Sequence, residues 1–408
     1  MLARVRATRG KVREEPMSVK RERGAFVRDP ITWTAYGLVG YFAFTMTVLG
    51  PIMPFLREEQ GLGYAAASLH FSAFALGGVL VGLLGDRVLV RWGRREALWG
   101  GAAGMALGAL LLVLSPGVWA TVPAALSMGV CGALLLVASE ALLSDKHGPW
   151  SAVALSESNV AASACAISAP LLVGAFAASG FGWRPALVAP VGALALLAAL
   201  SFFRSAGPPE RDVAGEGGAP TGLRALPPRY WAFWALVTLG VGSEWCVGYW
   251  GADFLAGTVG LTRPGAATAL TLFFVAMLAG RLLGSRLARA LPPATLLAAT
   301  LCVALAGFPL LWLSGGTAPT LLGLFLTGFG IGSVYPLGVS AALAAAPGNA
   351  DAAAARLAVG GGGAVLIAPF ALGALADRVG IGTAFGVVAP MLLAAVALAL
   401  GAGRGRVY

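Results

Sequence analysis

The sequence predicts an all-α membrane protein with 12 transmembrane helices in two six-helix bundles. Three observations predict it. Of 408 residues, 58% are hydrophobic and 11% charged, whereas soluble domains are roughly a quarter charged. Apolar stretches long enough to cross a bilayer recur along the chain, at roughly 30 residues per span and loop. Marks in the first half also return 199 residues later. This composition leaves no room for a soluble catalytic domain. The formal charge of +10 does not indicate nucleic acid, because the basic residues sit in short gaps between apolar runs rather than on a folded polar face.

In chain order, residues 1–30 form a basic cytoplasmic tail. It carries nine Lys and Arg between Arg4 and Arg28 and no apolar core of signal-peptide length. The N-terminal six-helix bundle follows over residues 31–203, with spans near 31–56, 65–85, 96–115, 119–143, 151–179 and 184–203. Residues 204–228 hold Pro208, Pro209, Pro220, Pro227 and Pro228 and read as a cytoplasmic linker. The C-terminal bundle occupies 229–408, with spans near 229–256, 264–288, 292–314, 318–346, 351–376 and 381–402. With the chain started inside, twenty-two of the 28 Lys and Arg fall in cytoplasmic segments and only Arg57, Arg184, Arg263 and Arg378 fall outside. That asymmetry places both termini in the cytoplasm and the protein in the inner (cytoplasmic) membrane.

The repeat links Gly85-Asp86-Arg87 to Gly284-Ser285-Arg286, Gly129 to Gly328, and Ala169-Pro170 with Gly174-Ala175 to Ala368-Pro369 with Gly373-Ala374. Three matches in different spans at one offset point to duplication, and hence to parallel repeats with a substrate site between them near the midplane. The stretch Gly82-Leu83-Leu84-Gly85-Asp86-Arg87, continuing to Gly93-Arg94-Arg95, resembles the loop signature of the major facilitator superfamily, and the resemblance covers essentially the whole chain. This sequence departs from the usual pattern by about four extra residues, Val88 to Arg91. Gly242-Ser243-Glu244 resembles the Gly-x-Glu region of the fucose-permease-like branch. The acidic residues of that branch's first and fourth spans have no counterpart here, so no sugar substrate is carried over.

Charged residues inside spans are expensive and point to function, unless they lie near a helix end and snorkel. Glu244 lies near the middle of span seven, too deep for so short a side chain to reach water. It is the expected proton-coupling or substrate residue, the bland reading being a carboxyl hydrogen-bonded to a neighbouring helix. Gly240, Gly248 and Gly251 share its helical face. Glu157 and Arg356 occupy equivalent repeat positions. The resemblance implies that span five packs on span eight and span eleven on span two, which sets Glu157 against Arg281 and Asp86 against Arg356 as cytoplasmic latches in the outward-open state. Asp86 also approaches the N-terminus of span eleven. Glu140, near the inner end of span four, reads as a structural partner for Arg87 more than as a ligand. Tyr41, Thr45, Trp245 and Tyr335 fall in spans that line the cavity in this fold, although core packing explains each nearly as well. Lone His70 reads more readily as packed than as functional. Pro170 and Pro369 permit bends. The Gly360–Gly363 run lacks the strand and Lys-Ser/Thr of a phosphate loop.

Isolated Cys131, Cys165, Cys246 and Cys302 argue against disulfides and zinc, so neither metal nor cofactor is expected. The reading is a secondary active transporter, proton-coupled, monomeric and not an enzyme, moving a small organic solute by alternating access within the lipid bilayer. One alternative is a drug or metabolite efflux antiporter, toward which the partial span-five antiporter signature around Ala169-Pro170 leans. The other is a non-transporting membrane sensor.

Overall fold

A computed structural model describes residues 26–203 and 226–404, so most of the basic tail and of the 204–228 linker lies outside the described residues. All regular structure among them is helical. The first half comprises α1 (Pro30–Gln60), α2 (Tyr64–Trp92), α3 (Arg94–Leu114), α4 (Val118–His147), α5 (Ser151–Ala178) and α6 (Pro185–Phe203). The second comprises α7 (Pro228–Gly257), α8 (Arg263–Leu287), α9 (Pro293–Leu313), α10 (Thr317–Gly332), α11 (Val334–Ala344), α12 (Ala350–Val379), α13 (Ile381–Ala384) and α14 (Val388–Arg404). Span ten is thus α10 with α11, and span twelve is α13 with α14. Nine helical stretches among the described residues are long and apolar enough to cross a membrane, one of them running over α4 and α5 together. The apolar part of α6 is shorter. α7, which carries Arg229, Glu244 and Asp253, is not in that set.

Local chemistry sets the helix ends. Asp29 accepts the Thr32 backbone N–H at 2.9 Å, with Pro30 following as the first helical residue of α1. Gly61 closes the same helix in the left-handed region at φ 62. The extra residues Val88–Arg91 add about one turn to α2, and Gly93, at φ 86, makes the corner into α3. There Arg94 pairs with Asp145 at the end of α4.

Within the halves the main contacts are α1–α5, α2–α4 and α3–α4, then α8–α10, α9–α10, α7–α12 and α7–α14. Across the halves α2 packs on α12 and α5 on α8, the pairing the resemblance implies, and α1 packs on α7. The repeat persists in atomic detail. A Cβ at Gly129 would collide with the Phe74 carbonyl, and one at Gly328 with the Phe273 carbonyl; both partners obey the 199-residue offset. An alternating path through twelve spans brings Pro30, Phe203, Pro228 and Arg404 to one face, called the terminal face below.

Candidate functional site

The two halves are joined at the face opposite the termini. Arg57 of α1 donates from Nη1 to Asp253 Oδ1 of α7 at 2.6 Å, and its guanidinium lies 3.4 Å over the Tyr64 ring. Arg263 of α8 reaches Glu58 at 2.6 Å. Asp377 of α12 accepts the backbone N–H of Tyr64 at 2.6 Å and of Ala65 at 2.9 Å. An aromatic layer lies nearby: Phe71 stacks on Tyr249 at 4.1 Å, and Tyr64 and Phe71 both meet Trp250 edge-on. Deeper, Ser68 and Ser72 of α2 donate to the Pro369 and Leu366 carbonyls. Toward the terminal face, no hydrogen bond or ion pair among the described residues crosses between the halves. The polar contacts that join the halves among the described residues are therefore gathered at one face.

Toward the terminal face from these contacts, charged and polar residues come from α7, α8, α11 and α4. Glu244, near the middle of α7, is only 13% exposed, and its Oε1 lies 3.6 Å from Arg281 Nη2 of α8. Arg281 is oriented by a backbone defect in span ten. Pro336 has no N–H, so the Gly332 carbonyl four residues earlier loses its helical donor. Arg281 Nε donates to that carbonyl at 3.0 Å. Ser333, at the break between α10 and α11, donates to the Gly280 carbonyl at 2.7 Å and fixes the break against α8. Tyr335 follows on α11, 46% exposed, with its hydroxyl in electrostatic range of both Glu244 and Glu140. Glu140 of α4, from the other half, is exposed and has no ion-pair partner among the described residues. Trp245 lies beside Glu244, its ring 4.7 Å from Tyr249.

Other expected residues lie elsewhere. Tyr41 and Thr45 stand apart from the central group, a correction to the reading that placed them on the cavity. Tyr41 lines a 460 Å³ cavity between α1, α5 and α6 with Gly37, Phe44, Cys165 and Leu197, and Thr45 donates back to the Tyr41 carbonyl at 2.8 Å. The reason is helical phase. Gly50, which meets the Gly248 carbonyl of α7, lies nine residues from Tyr41, about half a revolution around α1. Glu157 is held within its own half by Arg28 at 2.6 and 2.8 Å and by the Tyr36 hydroxyl at 3.1 Å. Arg356 donates to the Ala352 carbonyl and covers Trp231 at 6.0 Å. The side chains of Asp86 and Arg87 lie outside the described residues. Buried His70 is engaged by the Ala67 carbonyl at 3.0 Å and Thr121 Oγ1 at 2.8 Å, wholly within the first half. Gly360 packs against Trp234 and Thr238 of α7.

At the terminal face, Asp29 is pushed up by burial, but the hydrogen bonds from Lys146 and Thr32 outweigh this and hold it below the usual carboxylate range. Arg28 is raised by its hydrogen bond to Glu157. Sequence reasoning missed the closed face altogether. Arg57 and Arg263 were read only as loop charges, and Asp253, nine residues beyond Glu244, was passed over although it is 5% exposed. The available signal was charge complementarity between the Arg57-Glu58 turn and the ends of α7 and α8. No group of His, Cys, Asp and Glu among the described residues could hold a metal ion.

Residues 35–355 match the family model described as Major Facilitator Superfamily. An uncharacterized MFS-type transporter of Yersinia pestis is 26% identical over 374 residues, covering 87% of this chain and 91% of that protein. Solved structures share the fold. A bacterial homologue of the human lysosomal transporter Spinster, in an inward-facing and occupied conformation, superposes with a TM-score of 0.72 at 13% identity, over 92% of this chain and 96% of that one. A variant of the nucleoside transporter NupG gives 0.74 at 13% identity, over 91% and 99%. A variant of the peptide transporter POT, in complex with sulfate, gives 0.68 at 16%, over 91% and 95%. With the duplicated helical halves, the α2–α12 and α5–α8 contacts and the family match over most of its length, this chain belongs to the major facilitator superfamily.

Proposed function

We propose that this protein is a proton-coupled secondary active transporter of the cytoplasmic membrane, moving a small organic solute by alternating access. The observation that carries this reading is the Glu244–Arg281 pair, 13% and 40% exposed, placed on the terminal side of the polar contacts that join the halves among the described residues. The positive-inside asymmetry supports a cytoplasmic terminal face, which makes the conformation inward-open.

In this reading Glu244 exchanges its proton with the open side. As a carboxylate it pairs with Arg281. When protonated it loses that attraction, and Arg281 becomes free for Glu157 of α5 as the inner face closes. The proton thereby selects Arg281's partner, and the partner selects the side that is open. Glu157–Arg281 and Asp86–Arg356 are the inner latches of the outward-open state; here Glu157 is paired with Arg28 instead of Arg281. The solute binds below the aromatic layer, against Trp245 and Tyr335. The test is uptake into proteoliposomes under an imposed pH gradient, over a solute panel chosen by thermal shift. Glu244→Gln should abolish proton-driven accumulation and leave pH-independent exchange largely intact. Unchanged pH dependence in that variant would move the coupling group elsewhere.

Glu140 favours a second reading, export of an organic cation. An exposed carboxylate with no ion-pair partner among the described residues, in electrostatic range of Tyr335, offers a cation a counter-charge and a ring face. Amphipathic cations competing for binding, with affinity lost in Glu140→Gln, would support it over uptake of a neutral or anionic solute.

A further inference from the structure

The chain just ahead of α1 is fastened to the terminal-face ends of α4 and α5. Phe26 packs on the His147 ring at 4.8 Å, and Asp29 takes Lys146 at 2.6 Å while it caps α1. Between them Arg28 grips Glu157 with a fork, Nη2 donating to Oε1 at 2.6 Å and Nε to Oε2 at 2.8 Å. The Tyr36 hydroxyl adds a third hydrogen bond, to Oε2 at 3.1 Å. A planar guanidinium matched to both oxygens of a carboxylate leaves no room for a second fork. Glu157 is thus filled from its own half.

The repeat supplies the control. The equivalents of Arg28, Tyr36 and Glu157 are Pro227, Ala235 and Arg356, which offer neither guanidinium, hydroxyl nor carboxylate at the matching places. Arg356 turns instead to the Ala352 carbonyl of its own helix. Yet α7 begins at Pro228, one residue from the equivalent of Pro30 where α1 begins. Starting the first helix of a half therefore does not require such a contact, and the strap belongs to the first half alone.

A rival for the carboxylate stands on the other half. α5 packs on α8 across the halves, and α8 carries Arg281, which is 40% exposed and reaches Glu244 only at 3.6 Å. Arg28 and Glu157 are themselves 46% and 29% exposed, so water can take over the partners of either arginine as it leaves. We propose that residues 26–29 form a strap that competes with Arg281 for Glu157. With Arg28 seated, the inner latch cannot form and the inward-open state is favoured. With Arg28 withdrawn, Glu157 is released to Arg281 and the inner face closes. This rests on the alternating-access reading above and adds a regulatory contact to it. Closure exchanges one arginine for another at the same carboxylate, so the strap sets the balance between the two states by its differential contact with them.

The experiment measures the distance between spin labels at Leu114 and Leu313, exposed at the outer ends of α3 and α9, in the full chain with its native cysteines replaced and reconstituted in liposomes. Arg28→Gln should raise the ratio of outward-open to inward-open molecules about threefold, the effect of one half-exposed ion pair. Glu157→Gln removes both forks together and should leave the ratio close to that of the parent. Adding Arg28→Gln to Glu157→Gln should then change nothing further, because the strap acts only through that carboxylate. Tyr36→Phe removes one hydrogen bond from the strap's side and keeps every charge. It should move the ratio in the same direction as Arg28→Gln by less, and it carries the test if Arg28→Gln does not fold. With two populations in the parent, an unchanged or lowered ratio in Arg28→Gln reduces the strap to fold support and overturns the competition. An equal rise in Glu157→Gln makes the Arg28–Glu157 pair an inward latch without a rival and overturns it as well, while alternating access stands in both cases. A single population in the parent and in every variant would overturn both.

Discussion

Arg281 serves two acceptors with different parts of one rigid group, Nε to the Gly332 carbonyl and Nη2 toward Glu244. A lysine ammonium has the charge but not the fork. Arg281→Lys should therefore keep a pH-dependent transport rate, reduced about tenfold by the lost orientation, whereas Arg281→Gln should lose the pH dependence together with the rate; initial uptake against pH in proteoliposomes separates the two. Glu140→Gln should alter stability or rate more than coupling. The mid-span position of Glu244 was legible from the sequence, because apolar run length alone places it. Its partner was not, because Arg281 is aimed by a carbonyl that only the fold exposes. Tyr41 and Thr45 show the converse error. Thr45 is the repeat equivalent of Glu244 by arithmetic, yet the structure turns its face of α1 away from α7.

Span ten shows how one residue reshapes a helix. Pro336 interrupts the hydrogen-bond ladder, the turn at Ser333 separates α10 from α11, and the freed carbonyl becomes a ligand for a side chain of α8. Pro336→Ala restores an N–H that competes with Arg281 for Gly332. The variant should gain thermal stability, by up to about 3 kcal/mol, while transport slows as Arg281 loses its fixed direction. A melting curve and an uptake assay on the same preparation check both halves of that statement. Spans, their order and the duplication were readable from apolar run length and from glycines that recur where backbones touch, such as Gly129 and Gly328. The break in span ten was not, since a proline in a long apolar run is equally compatible with a smooth bend, as the unbroken α5 around Pro170 demonstrates.

Across the whole molecule, conformation is decided by how contacts differ between the two faces, so each closing contact matters in proportion to what opening does to its members. Arg57 and Asp253 are 18% and 5% exposed, whereas Arg263 and Glu58 are 43% and 58% exposed. Exposed pairs are already solvated and contribute little on closure, about 0–1 kcal/mol. Removing one member of a buried pair leaves the other desolvated without its counter-charge. Opening the face relieves that penalty by hydration. Asp253→Asn should therefore drive the equilibrium toward the outward-open state by tenfold or more, on the scale of about 1.4 kcal/mol per decade, while Glu58→Gln should move it less than about threefold. Arg57→Gln combined with Asp253→Asn should lie closer to the parent than Asp253→Asn alone, because no orphaned charge remains and the two effects are coupled rather than additive. Labelling rates of a single cysteine beneath the aromatic layer, with a membrane-impermeant reagent added on the outer side alone, give the ranking directly. Equal and small effects from all three variants would assign closure to the Phe71–Tyr249 stack and its neighbours, with the ion pairs merely following it.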